Sequence, residues 1–238
     1  MKYLRALLLF LLPSAITKHF VGGTIGFSFV IVDNLCMAKG SKIGHFNYIN
    51  CPLLSMGNRS TIHLLNIIKG YFDIDMKEGA NLFRQNVIRR FNKKNNYKKA
   101  EVNLRKDCWI GVNHFFDVTD SLTIGENTII AGKNTECWTH GFLIGKNKKV
   151  RIDAPIYIGS HCYIGSRCMI LAGTTISDNI TIGAATTVTG DLNKQGVYVG
   201  QGIRYMPFDA DKKIDDLHNP IAHIQDTDIY KKETNRKK

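Results

Sequence analysis

From Ile152 to Val188 an aliphatic, β-branched residue returns every six positions: Ile152, Ile158, Ile164, Ile170, Ile176, Ile182 and Val188. Such a period fits neither a helix, which repeats every ~3.6 residues, nor an alternating strand, which repeats every ~2. It fits short strands joined by turns, each strand sending one aliphatic side chain inward. Three such strands close a triangular coil of about 18 residues, and stacked coils make an all-β solenoid, the parallel β-helix. The same spacing runs upstream in other phases: Ile25, Ile31, Met37, Ile43 and Ile49; Met56, Ile62, Ile68 and Ile74; Leu104, Ile110 and Phe116; Val118, Ile124 and Ile130. Glycine follows the aliphatic residue at Gly44, Gly111, Gly125, Gly159, Gly165 and Gly183, which suits turns with backbone angles that other residues resist.

The interruptions carry as much information as the repeat. The phase moves by two residues between Phe116 and Val118. The position six after Ile130 is Glu136, and the pattern stays lost to Arg151. A second break runs from about Phe83 to Asn103. Insertions leave a solenoid as loops on one face, often the binding face. The expected organisation is an N-terminal helix over 1–22, a β-helix over 23–206 with loop insertions at about 83–103 and 137–151, and a polar tail over 207–238, extended or disordered. Ala6–Leu12, preceded by two positive charges, also resembles the core of a cleaved signal, although it is too short to span a bilayer as a helix. The other readings are an amphipathic membrane-surface helix and a helix that caps the open end of the coils; the cap, with peripheral membrane contact, is preferred.

The formal charge of +12 points to anionic partners, but much of it is local. Arg89–Lys99 holds six basic and no acidic residues, and the C-terminal "YKKETNRKK" holds five against one. No nucleic-acid-binding module accompanies them, so no nucleic-acid partner is expected. The six cysteines show neither a CxxC pair nor zinc spacing, which points to a reduced, cytoplasmic setting and no metal.

The units "IYIGSHCYIGSRCMILAGTTISDNITIGAATTVTGDL" (Ile156–Leu192) resemble those of the left-handed β-helix hexapeptide-repeat acyltransferases. "GVYVGQGIRYM" (Gly196–Met206) resembles the family's usual ending, with Gly202 where a proline is common. "HFFDVTDSLTIGENTIIAGKNTECWTHGF" (His114–Phe142) resembles the galactoside, maltose and surface-polysaccharide O-acetyltransferase branch. The resemblance implies a left-handed coil, a homotrimer with active sites between subunits, acetyl-CoA as co-substrate and a sugar or glycan acceptor. It also implies that His140 is the catalytic base, that His114, Asp117, Trp138 and Tyr163 serve the acceptor side, and that Ser166, Ala184 and Thr189 face the pantetheine arm. Arg204, with nearby Lys194, would meet the phosphates of CoA.

The chemistry agrees with that placement. A sugar hydroxyl must lose its proton as it attacks a thioester, and histidine, with a pKa near ~6.5, is neutral enough at pH 7 to accept one. His140 stands where the repeat breaks. Such a base is held through its other ring nitrogen, and Asp117, Asp120 and Glu136 are the candidates. An oxyanion donor is expected from the backbone near Gly141 or Gly159. Cys137 offers a rival covalent route through an acyl-cysteine. Other readings are N-acetylation of a nucleotide-linked amino sugar, a zinc-dependent β-helix carbonic anhydrase using His114, His140 and His161, and a non-catalytic scaffold. The leading expectation is an acetyl-CoA-dependent O-acetyltransferase of a polysaccharide precursor, at the inner face of the membrane.

Overall fold

The computed structural model describes residues 2–90, 99–200, 209–224 and 227–231. Short parallel strands stack coil upon coil along three faces. The first face is a nine-stranded sheet that starts at Thr24–Ile25 and ends at Gly196–Tyr198. The second and third faces form one 14-stranded sheet, because the strand Tyr48–Met56 runs unbroken across the corner between them. Each strand turns one aliphatic residue inward, as in Ile43, Ile62, Leu82, Ile110, Ile130, Ile164 and Ile182 on the first face, and these form one continuous buried core. Burial of each such side chain contributes about 1.5–3 kcal/mol.

The corner between the first and second faces holds a buried polar ladder. In five successive coils a left-handed residue (Phe46, Leu65, Gln85, Asn113, Asn134; φ 57 to 62°) precedes an inward polar one. The backbone N–H groups of Asn66, Asn86 and His114 donate to the side-chain oxygens of Asn47, Asn66 and Asn86, each at 2.9 Å. Thr135 N–H then donates to His114 Nδ1 at 2.9 Å. Each ladder side chain thus satisfies a backbone donor that the turn would otherwise bury unpaired.

Several sequence expectations change. The glycines after the aliphatic residues do not have positive φ; what they need is room, since a Cβ on Gly44 would lie 2.2 Å from the His63 carbonyl oxygen of the next coil. Ile31 points out of the coil, while Val30 and Val32 flank it in the core. The coil stays regular through Arg90 and resumes at Ala100, so the 83–103 break shrinks at both ends; residues 91–98 lie outside the described set.

The missing aliphatic residue at 136 has a local cause. One extra residue enters as a bulge between Ile130 and Lys133, at Gly132 with φ +65°, and moves the inward position to Cys137. A side chain at Gly132 would collide with Ser166 Oγ, 1.8 Å from its Cβ position. Glu136–Trp138 is therefore a coil strand, not the start of a loop. The excursion is a hairpin, His140–Ile144 paired with Lys149–Asp153. Ile152 belongs to that hairpin rather than to the solenoid core, which resumes at Ile156 and Ile158.

Two helices, α1 (Lys2–Leu11) and α2 (Ser14–Val21), lie on the first coil, with Leu9 and Val21 against the core. At the other end of the chain, the polar tail is not loose where it is described. Helix α3 (Ala210–Asp215) and the strand Thr227–Lys231 pack on the hairpin, burying Ile214, Ile229 and Tyr230.

Candidate active site

Asp117 ends the strand Phe115–Asp117 on the second face and pairs in register with Trp138 one coil on. Two residues past Trp138 the chain leaves the coil as the hairpin, and His140 is its first residue. This stacking brings His140 Nδ1 to 2.8 Å from Asp117 Oδ1. The carboxylate is completely buried, whereas the histidine side chain is 18% exposed.

The surrounding donors assign the proton. Asp117 Oδ1 also accepts from the Thr119 N–H at 3.3 Å and lies 3.2 Å from the Thr139 hydroxyl. The Thr119 hydroxyl donates to Oδ2 at 3.3 Å. With Asp117 accepting throughout, Nδ1–H is the donor to it, and Nε2 carries the lone pair. Nε2 has no hydrogen-bond partner among the described residues. Thr139 Oγ1 also accepts the Asp120 N–H at 2.9 Å, so the two threonines fasten both ends of the Asp117–Asp120 turn.

Aromatic edges flank the imidazole. Trp138 stands edge-on at 6.2 Å and Phe142 at 5.7 Å, with Phe115 against Trp138. Glu136 accepts the Trp138 indole N–H at 2.8 Å, and of the three candidate partners it is Asp117 whose carboxylate meets His140 Nδ1. Across the hairpin His140 is paired with Asp153. Asp153 is buried and gripped by Arg151 at 2.8 and 2.9 Å; burial raises its carboxyl above the usual range, a shift that Arg151 opposes.

The other predicted residues divide between places. His114 is 1% exposed and serves the ladder through Nδ1, so it does not reach an acceptor; burial lowers its pKa to about 4. Asp117 is fully buried and hydrogen-bonded to His140. Tyr163 is exposed on the first face, across the coil from His140. Ser166 and Ala184 stack one coil apart at the corner between the first and second faces, whereas Thr189 lies at the opposite edge of the second face, two coils beyond Trp138. Lys194 is exposed near the last coil, and Arg204 lies outside the described residues.

Three alternatives lack the placement they need within one chain. Cys137 faces the core, and burial pushes its thiol up, away from the nucleophilic thiolate. His114, His140 and His161 sit at three different corners, and among the described residues no three His, Cys, Asp or Glu side chains group as metal ligands. The Gly159 N–H donates to the Ile176 carbonyl at 2.8 Å and is not open to an oxyanion. Residues that the sequence did not single out are Thr119, Thr139 and Arg151; the threonines beside Asp117 and His140 in "DVTD" and "WTHG" were the available signal.

Residues 155–190 match the model of the hexapeptide repeat of succinyl-transferase. No curated protein matches the chain. Among solved structures, a maltose O-acetyltransferase from Clostridium difficile 630 is 28% identical over 48% of this chain, with a TM-score of 0.39. The match spans only 61% of that protein's length. The polySia-specific acetyltransferase NeuO is 17% identical over 75% of this chain and 77% of its own, with a TM-score of 0.39. A point mutant of AntD, an N-acyltransferase from Bacillus cereus in complex with dTDP-4-amino-4,6-dideoxyglucose and coenzyme A, is 14% identical over 84% and 90%, with a TM-score of 0.40.

Proposed function

We propose that this chain, a left-handed β-helix of the hexapeptide-repeat acyltransferase type, is an acetyl-CoA-dependent O-acetyltransferase acting on a sugar hydroxyl of a polysaccharide precursor. One observation carries the proposal: a partly exposed imidazole, bound through Nδ1 to a buried carboxylate, with Nε2 open. That is the arrangement a general base needs.

Acetyl-CoA supplies the activated thioester. His140 Nε2 takes the proton of the acceptor hydroxyl as its oxygen attacks the acyl carbon. Asp117 keeps Nδ1 protonated and stabilises the imidazolium that forms, which can then return a proton to the departing sulfur. Trp138 and Phe142 stand edge-on around the ring as apolar walls for a sugar face.

One chain does not gather the whole constellation, because Tyr163, Ser166 and Ala184 lie away from His140. A homotrimer, in which a neighbouring subunit brings that surface to the dyad, completes the site. The reaction is assigned to the cytoplasm, consistent with six unpaired cysteines.

The test is incubation of the purified protein with labelled acetyl-CoA and a panel of sugars, glycans and nucleotide-sugars. Base-labile label on a hydroxyl acceptor supports the proposal. Base-stable label on an amino sugar replaces it with N-acetylation, and absence of transfer on every acceptor replaces it with a scaffold role.

A further inference from the structure

We infer that helix α1 is a docking surface for an anionic lipid bilayer. The helix turns Ala6 and Leu9 into the protein, while Tyr3, Leu4, Leu7, Leu8 and Leu11 point outward. Leu4, Leu8 and Leu11 are 63, 53 and 63% exposed, and positions 4, 7, 8 and 11 share one helical face. Phe20 of α2 is exposed as well. A continuous leucine face in water is costly and marks an interaction surface. No helix among the described residues is long and apolar enough to cross a membrane. A short apolar face of this kind is suited to lying in the headgroup boundary.

Charge decides between lipid and a second copy of the chain as occupant. A second copy docked on this face would set its own exposed Lys18 and Lys69 against those of the first, whereas an anionic leaflet attracts them. Cationic groups also adjoin the leucine face. Lys2 borders it beside Leu4 and Leu8, and lines a neighbouring cleft of about 370 Å³ with Lys69 and Arg90. Asp33 in that cleft is neutralised by Lys2 at 3.1 Å, leaving the exposed Lys69 to face headgroup phosphates. Lys18 of α2 is exposed beside the same helices.

The docking surface is aligned with the candidate active site. Helix α1 packs on Phe29–Met37 of the first coil. From that strand the second face passes through Tyr48–Met56, Ile67–Lys69, Val87–Arg89 and Phe115–Asp117 to Glu136–Trp138. Five steps of about 4.8 Å put His140 roughly 24 Å along the solenoid from the helix. A glycan anchored in the bilayer would reach the dyad along this one side.

Vesicle flotation of the full chain tests the inference, and it needs no acceptor or acetyl-CoA, so it stands or falls apart from the enzymatic proposal. The chain should float with vesicles of 70% phosphatidylcholine and 30% phosphatidylserine at physiological salt, and at least about tenfold less with phosphatidylcholine alone. The double variant Leu4→Glu/Leu8→Glu changes only exposed positions and should lower binding to the anionic vesicles at least about tenfold, with unchanged melting temperature and sedimentation mass. Absence of wild-type binding, or a variant that binds like the wild type, overturns the inference. A fall in sedimentation mass in the variant overturns it in favour of a second copy on this face.

Discussion

Asp117 and His140 are 23 residues apart in sequence and 2.8 Å apart in space, because one turn of the coil stacks the strand ending at Asp117 beneath the strand that leads to His140. The carboxylate is sealed in the coil and the imidazole reaches the surface.

Removing the base should leave the coil intact. His140→Ala is expected to lose about 10²–10⁴-fold in acetyl transfer, the usual worth of a general base. The variant should still fold, with a lowered melting temperature, since buried Asp117 loses its ring partner but keeps the Thr119 and Thr139 donors. Wild-type turnover would remove the assignment.

Asp117→Asn keeps the shape of the partner but can offer an N–H to Nδ1 and so favour the tautomer protonated at Nε2. A rate loss of about 10²-fold or more is expected, with little change in KM. NMR of the His140 ring should report the exchanged tautomer.

Cys137→Ser separates packing from catalysis. The thiol sits in the core, so turnover per folded molecule should persist while stability drops by about 1–3 kcal/mol for a buried hydroxyl. Loss of turnover with an unchanged melting temperature would restore the covalent route.

His114 should make the fold acid-sensitive. Its folded pKa of about 4 lies below the ~6.5 of an unfolded histidine. Above that unfolded value the ring is neutral in both states and its contribution is fully present. As the pH falls from ~6.5 towards 4, the unfolded chain takes up a proton that the buried ring refuses, and stability declines by on the order of 3 kcal/mol. His114→Asn extends the ladder already built by Asn47, Asn66 and Asn86 and should flatten this dependence. Denaturant melts of both proteins between pH 4 and 7 are the check.

Ile164→Asp places a charge in the middle of the core and should abolish soluble expression. A folded mutant would mean that the inward position of that coil is misassigned.

How much of this was legible in the chain depended on range. The inward positions from Ile158 to Val188 follow from spacing alone, because every coil repeats the same demand for one buried aliphatic residue. The break at 136 was visible, but its cause was not: a single-residue bulge at Gly132 is a matter of register against Val112 and of room beside Ser166, which lie in the coils before and after. His114 and His140 look alike as loop histidines in sequence, and only the coil stacking separates the one buried in the ladder from the one that reaches the surface.

The sequence by itself determined the solenoid, the positions of most core residues and the interruption after Ile130 from which the hairpin leaves the coil. The tertiary structure decided which carboxylate holds His140, sent Cys137 and His114 inward, and folded the C-terminal strand onto the hairpin. The reason is physical: the hexapeptide repeat is a local energetic requirement met within each coil. Hydrogen-bond partners, by contrast, are chosen between coils, by stacking that no short window of sequence contains.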